Sequence, residues 1–277
     1  MIDLHMHSIY SDGDLTPDEL VTMAEKQNIS TISITDHDNV LAYNHLNKNS
    51  HVEVIPGIEL SASDPIGRMH ILGLGINPKD KELVNKMEEL RQNSIDKFLL
   101  IVEYIKKQGI IVCDKDISLL INKVGDVGRQ DIAKLLIDYG YVETVQEAFD
   151  KYLIDAYNHT KKNRRDLSPA ECIELINKSG GIAILAHPIS LKRDNKNLER
   201  LIVQMIYYGL DGIEVYHSNH SLEQMKYYKY LVEKYKLLYS VGSDYHGIIA
   251  KPDIVMGEGR QKNLCISSCS ALDYLKK

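Results

Sequence analysis

Seven short apolar runs alternate with helical segments along this chain, and that alternation restricts its fold more than any other feature. The runs are Ile2–His5, Thr31–Thr35, Val52–Glu59, Met69–Ile76, Gly181–Ala186, Gly212–Tyr216 and Leu237–Gly242. They read as nearly continuous apolar strands, the pattern of strands covered on both faces. Helix-start signals lie between them. Thr16-Pro17-Asp18-Glu19 and Ser168-Pro169-Ala170-Glu171 each combine a capping box with proline at the first helical position. Ser221-Leu222-Glu223-Gln224 opens a further helix towards Tyr235. Such alternation predicts an α/β fold on a parallel sheet. Seven strands suit a distorted, TIM-like (β/α)7 barrel better than a full eight-stranded one.

From Pro78 to about Lys162 the alternation stops. A long helix is predicted from Lys81 to Gln108, with Gly109 as its stop, and a second helical part from Asp116 to Leu153, broken at Gly128 and Gly140. A barrel connection needs only about 10–15 helical residues. Residues 78–162 therefore read as a helical insertion subdomain in a barrel formed by 1–77 and 163–277.

Hydrophobic residues make up 44% of the 277 and charged residues 26%, ordinary for a globular core. The net charge of −6 argues against broad binding to duplex DNA or acidic membranes, which needs a basic face. No stretch reaches the roughly 20 apolar residues of a membrane span. The first residues, Met1-Ile2-Asp3-Leu4-His5, lack the basic start of a signal peptide. A cytoplasmic protein is expected. Cys113, Cys172, Cys265 and Cys269 form no metal-binding pattern and are expected as reduced thiols.

The histidines and carboxylates collect at one end of the runs. His5 and His7 follow the first, Asp36 and His37 the second, Glu59 ends the third, His187 the fifth, and Asp244 and His246 follow the seventh. Only His70 sits near the start of its run. The C-terminal edge of parallel strands is where β/α folds build active sites. Two histidines at i and i+2 on a strand face one side and reach one ion at about 2.0–2.1 Å. Taken singly, each residue has a structural reading: a hydrogen-bonded core histidine, or an ordinary turn at Asp12-Gly13. Six histidines and three carboxylates converging on one rim require cations between them.

The ordered series His5-x-His7, Asp12, His37, Glu59, His70, His187, Asp244-x-His246 resembles the PHP domain, named for polymerase and histidinol phosphatase, over about residues 1–260. The likeness is closest to the free-standing branch of 3′,5′-bisphosphate nucleotidases and 5′-3′ oligoribonucleotide exonucleases. Gly128-Arg129-Gln130-Asp131-Ile132-Ala133, Glu147–Leu153, Gly212–His217 and Gly242–Gly247 carry it further. The resemblance implies a distorted seven-stranded barrel with an inserted helical subdomain, and three divalent metal ions. One ion would be held by His5, His7, Glu59 and Asp244, a second by Glu59, His70 and His187, and a third by Asp12, His37 and His246. Nitrogen and oxygen ligands without thiolate suit Mn²⁺, Zn²⁺ or Fe²⁺.

Three divalent ions outweigh the three carboxylates and a hydroxide, so the pocket would be positive in an acidic chain. A coordinated water, its pKa lowered towards about 7, would attack the phosphorus. The expected partner is a small phosphorylated substrate, a nucleoside 3′,5′-bisphosphate or a short 5′-phosphorylated RNA. Another small phosphoester, such as histidinol phosphate or a cyclic sugar phosphate, is the alternative; a non-catalytic metal-binding module is a third reading. His217, at the end of the sixth run, is the candidate proton donor to the leaving group. Arg129 and Arg193 are candidates to hold a substrate phosphate; the run Lys161-Lys162-Asn163-Arg164-Arg165 reads as a solvated stretch. Where the branch commonly has Pro-His after Gly-Arg, this chain has Gln130-Asp131, which implies a different grip on substrate.

Overall fold

The computed structural model describes residues 1–47, 50–123, 125, 127–160 and 167–277. The Lys161–Arg165 run lies outside them. The chain is α/β. In order its elements are β1 (Ile2–Met6), α1 (Pro17–Lys26), β2 (Thr31–Ile34), β3 (Glu53–Val54), β4 (Gly57–Ala62), β5 (Met69–Leu74), α2 (Lys81–Lys107), α3 (Asp114–Ile121), α4 (Arg129–Asp138), α5 (Val145–Ala148), α6 (Ile154–Thr160), α7 (Pro169–Lys178), β6 (Ile182–Leu185), α8 (Asn195–Tyr207), β7 (Gly212–His217), α9 (Leu222–Tyr235), β8 (Leu238–Gly242) and α10 (Ser270–Leu275). A single π-turn, Phe149–Leu153, joins α5 to α6.

The predicted helix starts form as the sequence specifies. At α1 the Thr16 hydroxyl accepts from the Glu19 amide, and Glu19 reaches back to the Thr16 amide at 2.8 Å. Ser168 and Glu171 repeat this at α7, and Ser221 with Gln224 at α9.

The strands depart from the expected pattern in two respects. Among the described residues they number eight, because the run Val52–Glu59 splits at Pro56 into β3 and β4. Proline has no amide hydrogen to give a ladder, and the Pro56 carbonyl instead takes the Gly75 amide at 2.7 Å. The sheets are also mixed, which corrects the all-parallel expectation. β1, β2 and β3 form a parallel sheet, and β4 to β8 a second in which β5 runs antiparallel to both neighbours. Neither sheet closes on itself into the expected seven-stranded barrel. Two isolated bridges link their edges: Met6 with Tyr245, and His37 with Glu59.

The reversal of β5 explains the position of His70. Its register places Ser61 opposite His70 and Ile71 opposite Leu185. The start of β5 thus lies beside the C-terminal ends of β4 and β6. A histidine at the beginning of a reversed strand reaches the same edge as histidines at the ends of forward ones.

By contact the chain divides into two compact units, Met1–Met87 with Asp166–Lys277, and Glu88–Arg165. In the first, Met6, Leu20, Ile32, Ile34 and Met256 pack between β1, β2 and α1 with almost no exposure. In the second, Phe98, Ile105, Ile132, Leu136 and Leu153 form a separate all-helical core.

Gly242, at the end of β8, packs directly on His5. A Cβ there would lie 2.1 Å from the Cβ of His5 and 2.7 Å from Glu214 Oε1. Gly242→Ala is expected to cost about 1–3 kcal/mol by overpacking, read as a lowered thermal midpoint. Gly128→Ala, which would meet nothing within 4 Å, should stay within about 0.5 kcal/mol.

Candidate metal centre

Glu59 is the hub of the site. Its carboxylate is completely buried in the middle of β4. Oε2 lies 3.1 Å from His5 Nε2, 3.1 Å from His7 Nε2 and 3.2 Å from His37 Nδ1. Oε1 lies 2.9 Å from His70 Nδ1 and 2.8 Å from His187 Nε2. Asp244 Oδ1 comes within 3.6 Å of His5 Nε2 and 3.4 Å of His7 Nε2. Asp12, half exposed, lies 3.2 Å from His246 Nε2, 3.5 Å from His7 Nδ1 and 3.9 Å from His37 Nε2. All nine residues of the sequence pattern therefore meet at one place. Their donor atoms fall into compact groups able to hold an ion, including His5, His7, Glu59 and Asp244, and His7, Asp12, His37 and His246.

The outer hydrogen bonds set which nitrogen of each ring faces inwards. His5 Nδ1 donates to Glu214 Oε1 at 2.9 Å. Ser11 Oγ donates to Asp36 Oδ1 at 2.6 Å, so it accepts from His7 Nδ1 at 3.3 Å. Ser190 Oγ gives its proton to a backbone carbonyl, at 2.8 Å to Arg68, and accepts from His187 Nδ1 at 2.9 Å. His246 Nδ1 donates to the Asp244 carbonyl at 2.9 Å. In these four rings Nδ1 is engaged outwards and Nε2 faces the cluster, where it would offer its lone pair to an ion once free of a proton. That is the form a metal-ligating imidazole takes.

His217 is set the other way. Its Nδ1 accepts the Asn219 amide at 3.1 Å, which puts the ring proton on Nε2, 3.5 Å from Asp244 Oδ2.

The residues fit metal ions. His7 Nε2, His37 Nδ1 and His217 Nε2 are buried without a hydrogen-bond partner. Each such orphan costs about 1–3 kcal/mol, and His7 Nε2 approaches Glu59 in distance without hydrogen-bond geometry. Burial alone would lower the His7 pKa, but Asp244 and Glu59 hold it up at about 9. Burial, only partly offset by Glu59, brings His37 down to about 3. Glu59, despite its burial, is held well below the usual carboxylate range by His5, His37 and His70. The backbone is strained here too. His187 and Asp244 have φ of 24° and 57°, conformations that cost about 1–3 kcal/mol and gather at functional sites.

Several contributors were not singled out in the sequence. Glu214, fully buried in β7, holds His5 and also accepts the His187 amide at 2.7 Å. The available signal was a glutamate inside an apolar strand, where burial demands partners. Asp3 takes the Ser243 and Gly257 amides at 2.9 and 2.7 Å, fixing the turn that carries Asp244. Lys251 pairs with Asp244 at 2.6 Å. His220 is buried beside His217, with ring centroids 5.0 Å apart.

The two arginine candidates are differently placed. Arg193 forms a buried pair with Asp64 at 2.6 Å. Arg129 belongs to the helical unit, where its guanidinium lies 4.2 Å from the Tyr157 ring and 5.6 Å from that of Phe149. The neighbouring Gln130-Asp131 has a local explanation. Asp131 accepts the Gly128 amide at 2.8 Å and pairs with Lys123 at 2.6 Å, so it caps α4. A cavity of about 280 Å³ opens over the cluster, bordered also by Arg68, Ser190, Asn219 and Lys251.

Glu214→Gln keeps the shape of that residue but removes the charge behind His5. It is expected to weaken manganese binding about 10–100-fold, measured by titration of the apoprotein. Manganese uptake should also release protons and strengthen from pH 6 towards pH 9, because protonated His7 must become neutral to ligate. Uptake without proton release would contradict the assignment of His7.

Known proteins resemble this chain. The family model of the PHP domain matches residues 3–251. A 5′-3′ exoribonuclease of Haemophilus influenzae is 32% identical over 251 residues, covering 88% of this chain and 89% of that one. A 3′,5′-nucleoside bisphosphate phosphatase of Chromobacterium violaceum is 29% identical over 248 residues, covering 88% and 87%. A crystal structure described as a metal-dependent phosphoesterase, from Bifidobacterium adolescentis, superposes with a TM-score of 0.73 at 25% identity, covering 95% and 93%. The chain belongs to the PHP domain family, and it is a metal-dependent phosphoesterase.

Proposed function

We propose that this chain hydrolyses a phosphate ester of a nucleoside 3′,5′-bisphosphate or a short 5′-phosphorylated RNA, with three divalent ions at the Glu59 cluster. The observation that carries it is the set of imidazole nitrogens around one buried carboxylate, four of the rings fixed with Nε2 inwards. His5, His7, Glu59 and Asp244 would hold one ion, Glu59, His70 and His187 a second, and Asp12, His37 and His246 the third. Bound there, Mn²⁺, Zn²⁺ or Fe²⁺ would polarise the phosphoryl group and supply hydroxide at neutral pH.

The protein's own groups do the rest. Glu59 presents one oxygen to each of two neighbouring sets of histidines, as a bridging ligand must. Glu214, Asp36 and Ser190 orient rings that would otherwise turn. His217, with its proton on Nε2, can give a hydrogen bond or a proton to the leaving oxygen. The names of the two relatives support a nucleotide or RNA end as substrate. Arg129, in the helical insertion 78–162, remains the proposed contact to a second phosphate. The two edge bridges support reading the sheets as arcs of one distorted barrel. No helix among the described residues is long and apolar enough to cross a membrane, in keeping with the proposed place in the cytoplasm.

Phosphate released from adenosine 3′,5′-bisphosphate, and mononucleotides released from a 5′-phosphorylated RNA oligomer, test the substrate. Turnover of either supports the reading; turnover of neither, with a cyclic sugar phosphate hydrolysed instead, overturns it. His5→Ala and Asp244→Ala should each lower kcat by more than about 100-fold with the circular-dichroism spectrum unchanged. His217→Asn should lower kcat on the natural ester more than on a 4-nitrophenyl ester, whose leaving group needs no proton.

A further inference from the structure

Arg68 borders the same cavity as His37, His70 and His187. Among the described residues no carboxylate pairs with its guanidinium. The other cation at the cavity, Lys251, is committed to Asp244, and Arg193 to Asp64. An exposed arginine is ordinarily just a solvated surface group. This one stands on a loop built to hold it.

The loop connects β4 to β5. Asp64 and Arg193 pair beneath it with side chains only 2% and 10% exposed. The second Asp64 oxygen accepts the amides of Ile66 and Gly67, both at 2.8 Å, and so folds the turn. Gly67 then packs directly on the neighbouring backbone: a Cβ there would lie 2.6 Å from the Ser190 carbonyl oxygen. The Arg68 backbone is fixed on both sides, its amide donating to the Ser190 carbonyl at 3.2 Å and its carbonyl accepting from Ser190 Oγ at 2.8 Å. The same hydroxyl accepts from His187. One serine therefore ties the arginine-bearing loop to the histidine cluster. A buried ion pair contributes little net stability; what this one fixes is the shape of the loop.

We propose that Arg68 grips the non-bridging oxygens of the substrate phosphate, and that the Asp64–Arg193 pair and Ser190 position it. The inference rests on the phosphoesterase reading of the same cavity. A guanidinium fork matches two phosphate oxygens, and a volume of about 280 Å³ admits a phosphoryl group and little more than a sugar. Recognition through Arg68 reads the phosphate and is indifferent to the base. It also gives Arg193 a role other than direct contact with substrate.

The test is calorimetric binding of inorganic phosphate to manganese-loaded protein, beside kcat and KM on adenosine 3′,5′-bisphosphate. Arg68→Ala is expected to weaken phosphate binding at least tenfold with manganese content unchanged, and Arg68→Lys to recover part of the loss. Asp64→Asn should raise KM more than it lowers kcat, and weaken phosphate binding in the same direction. Arg68→Ala binding phosphate as tightly as the parent, or losing its manganese, overturns the role of Arg68. Asp64→Asn that melts earlier yet binds phosphate normally overturns the positioning role. A parent protein that binds phosphate through Arg68 but hydrolyses no bisphosphate leaves this inference standing and removes the substrate assignment. A parent protein that binds no phosphate removes both.

Discussion

A carboxylate with no exposure to water, met by five imidazole nitrogens between 2.8 and 3.2 Å away, is the constraint around which this molecule is arranged. Burying an unpaired carboxylate is prohibitive, and burying several unpaired ring nitrogens adds to the cost. The strands solve the problem together. β1 delivers His5 and, one residue beyond it, His7, the turn after β2 delivers His37, β5 runs backwards to deliver His70, and the turn after β6 delivers His187. Even the two seams between the sheets pass through the site, at Met6–Tyr245 and at His37–Glu59. The edge that links the sheets is the edge where the histidines and Glu59 gather.

Inside that arrangement the rings have different settings. His5, His7, His187 and His246 each have Nδ1 occupied by an acceptor and turn Nε2 inwards. His217 accepts a backbone amide at Nδ1 and turns a proton inwards. The difference comes from neighbours that are not themselves ligands: Glu214, Ser11 with Asp36, Ser190, and the amide of Asn219. A cluster of like residues is thereby divided into four rings with Nε2 inwards and Nδ1 bound outwards, and one set the other way. The acidic chain, with net charge −6, needs bound cations to attract a phosphate to this place.

Much of this was legible in the sequence, and the parts that were not have physical reasons. Residue types and spacing pointed to His5-x-His7, Glu59 and Asp244-x-His246, because a carboxylate or histidine at the end of an apolar run has no inexpensive alternative. Strand direction is not written in hydrophobic pattern, since a reversed strand buries the same side chains. His70 therefore looked like an exception until β5 was seen to run antiparallel. The break at Pro56 was visible as a residue but not as a boundary, because proline is tolerated at strand starts. Glu214 was masked by its apolar neighbours, its two partners lying 209 and 27 residues away in sequence. Arg193 had the right chemistry for phosphate, yet a long-range partner, Asp64, already occupies it.

The account stands or falls on cations at Glu59. Anomalous diffraction from crystals grown with Mn²⁺, recorded at the manganese absorption edge, tests this most directly. The account predicts peaks inside the histidine cluster, two of them sharing the Glu59 carboxylate. A map with no anomalous density there, and the rings joined to Glu59 only through their own protons, would contradict it.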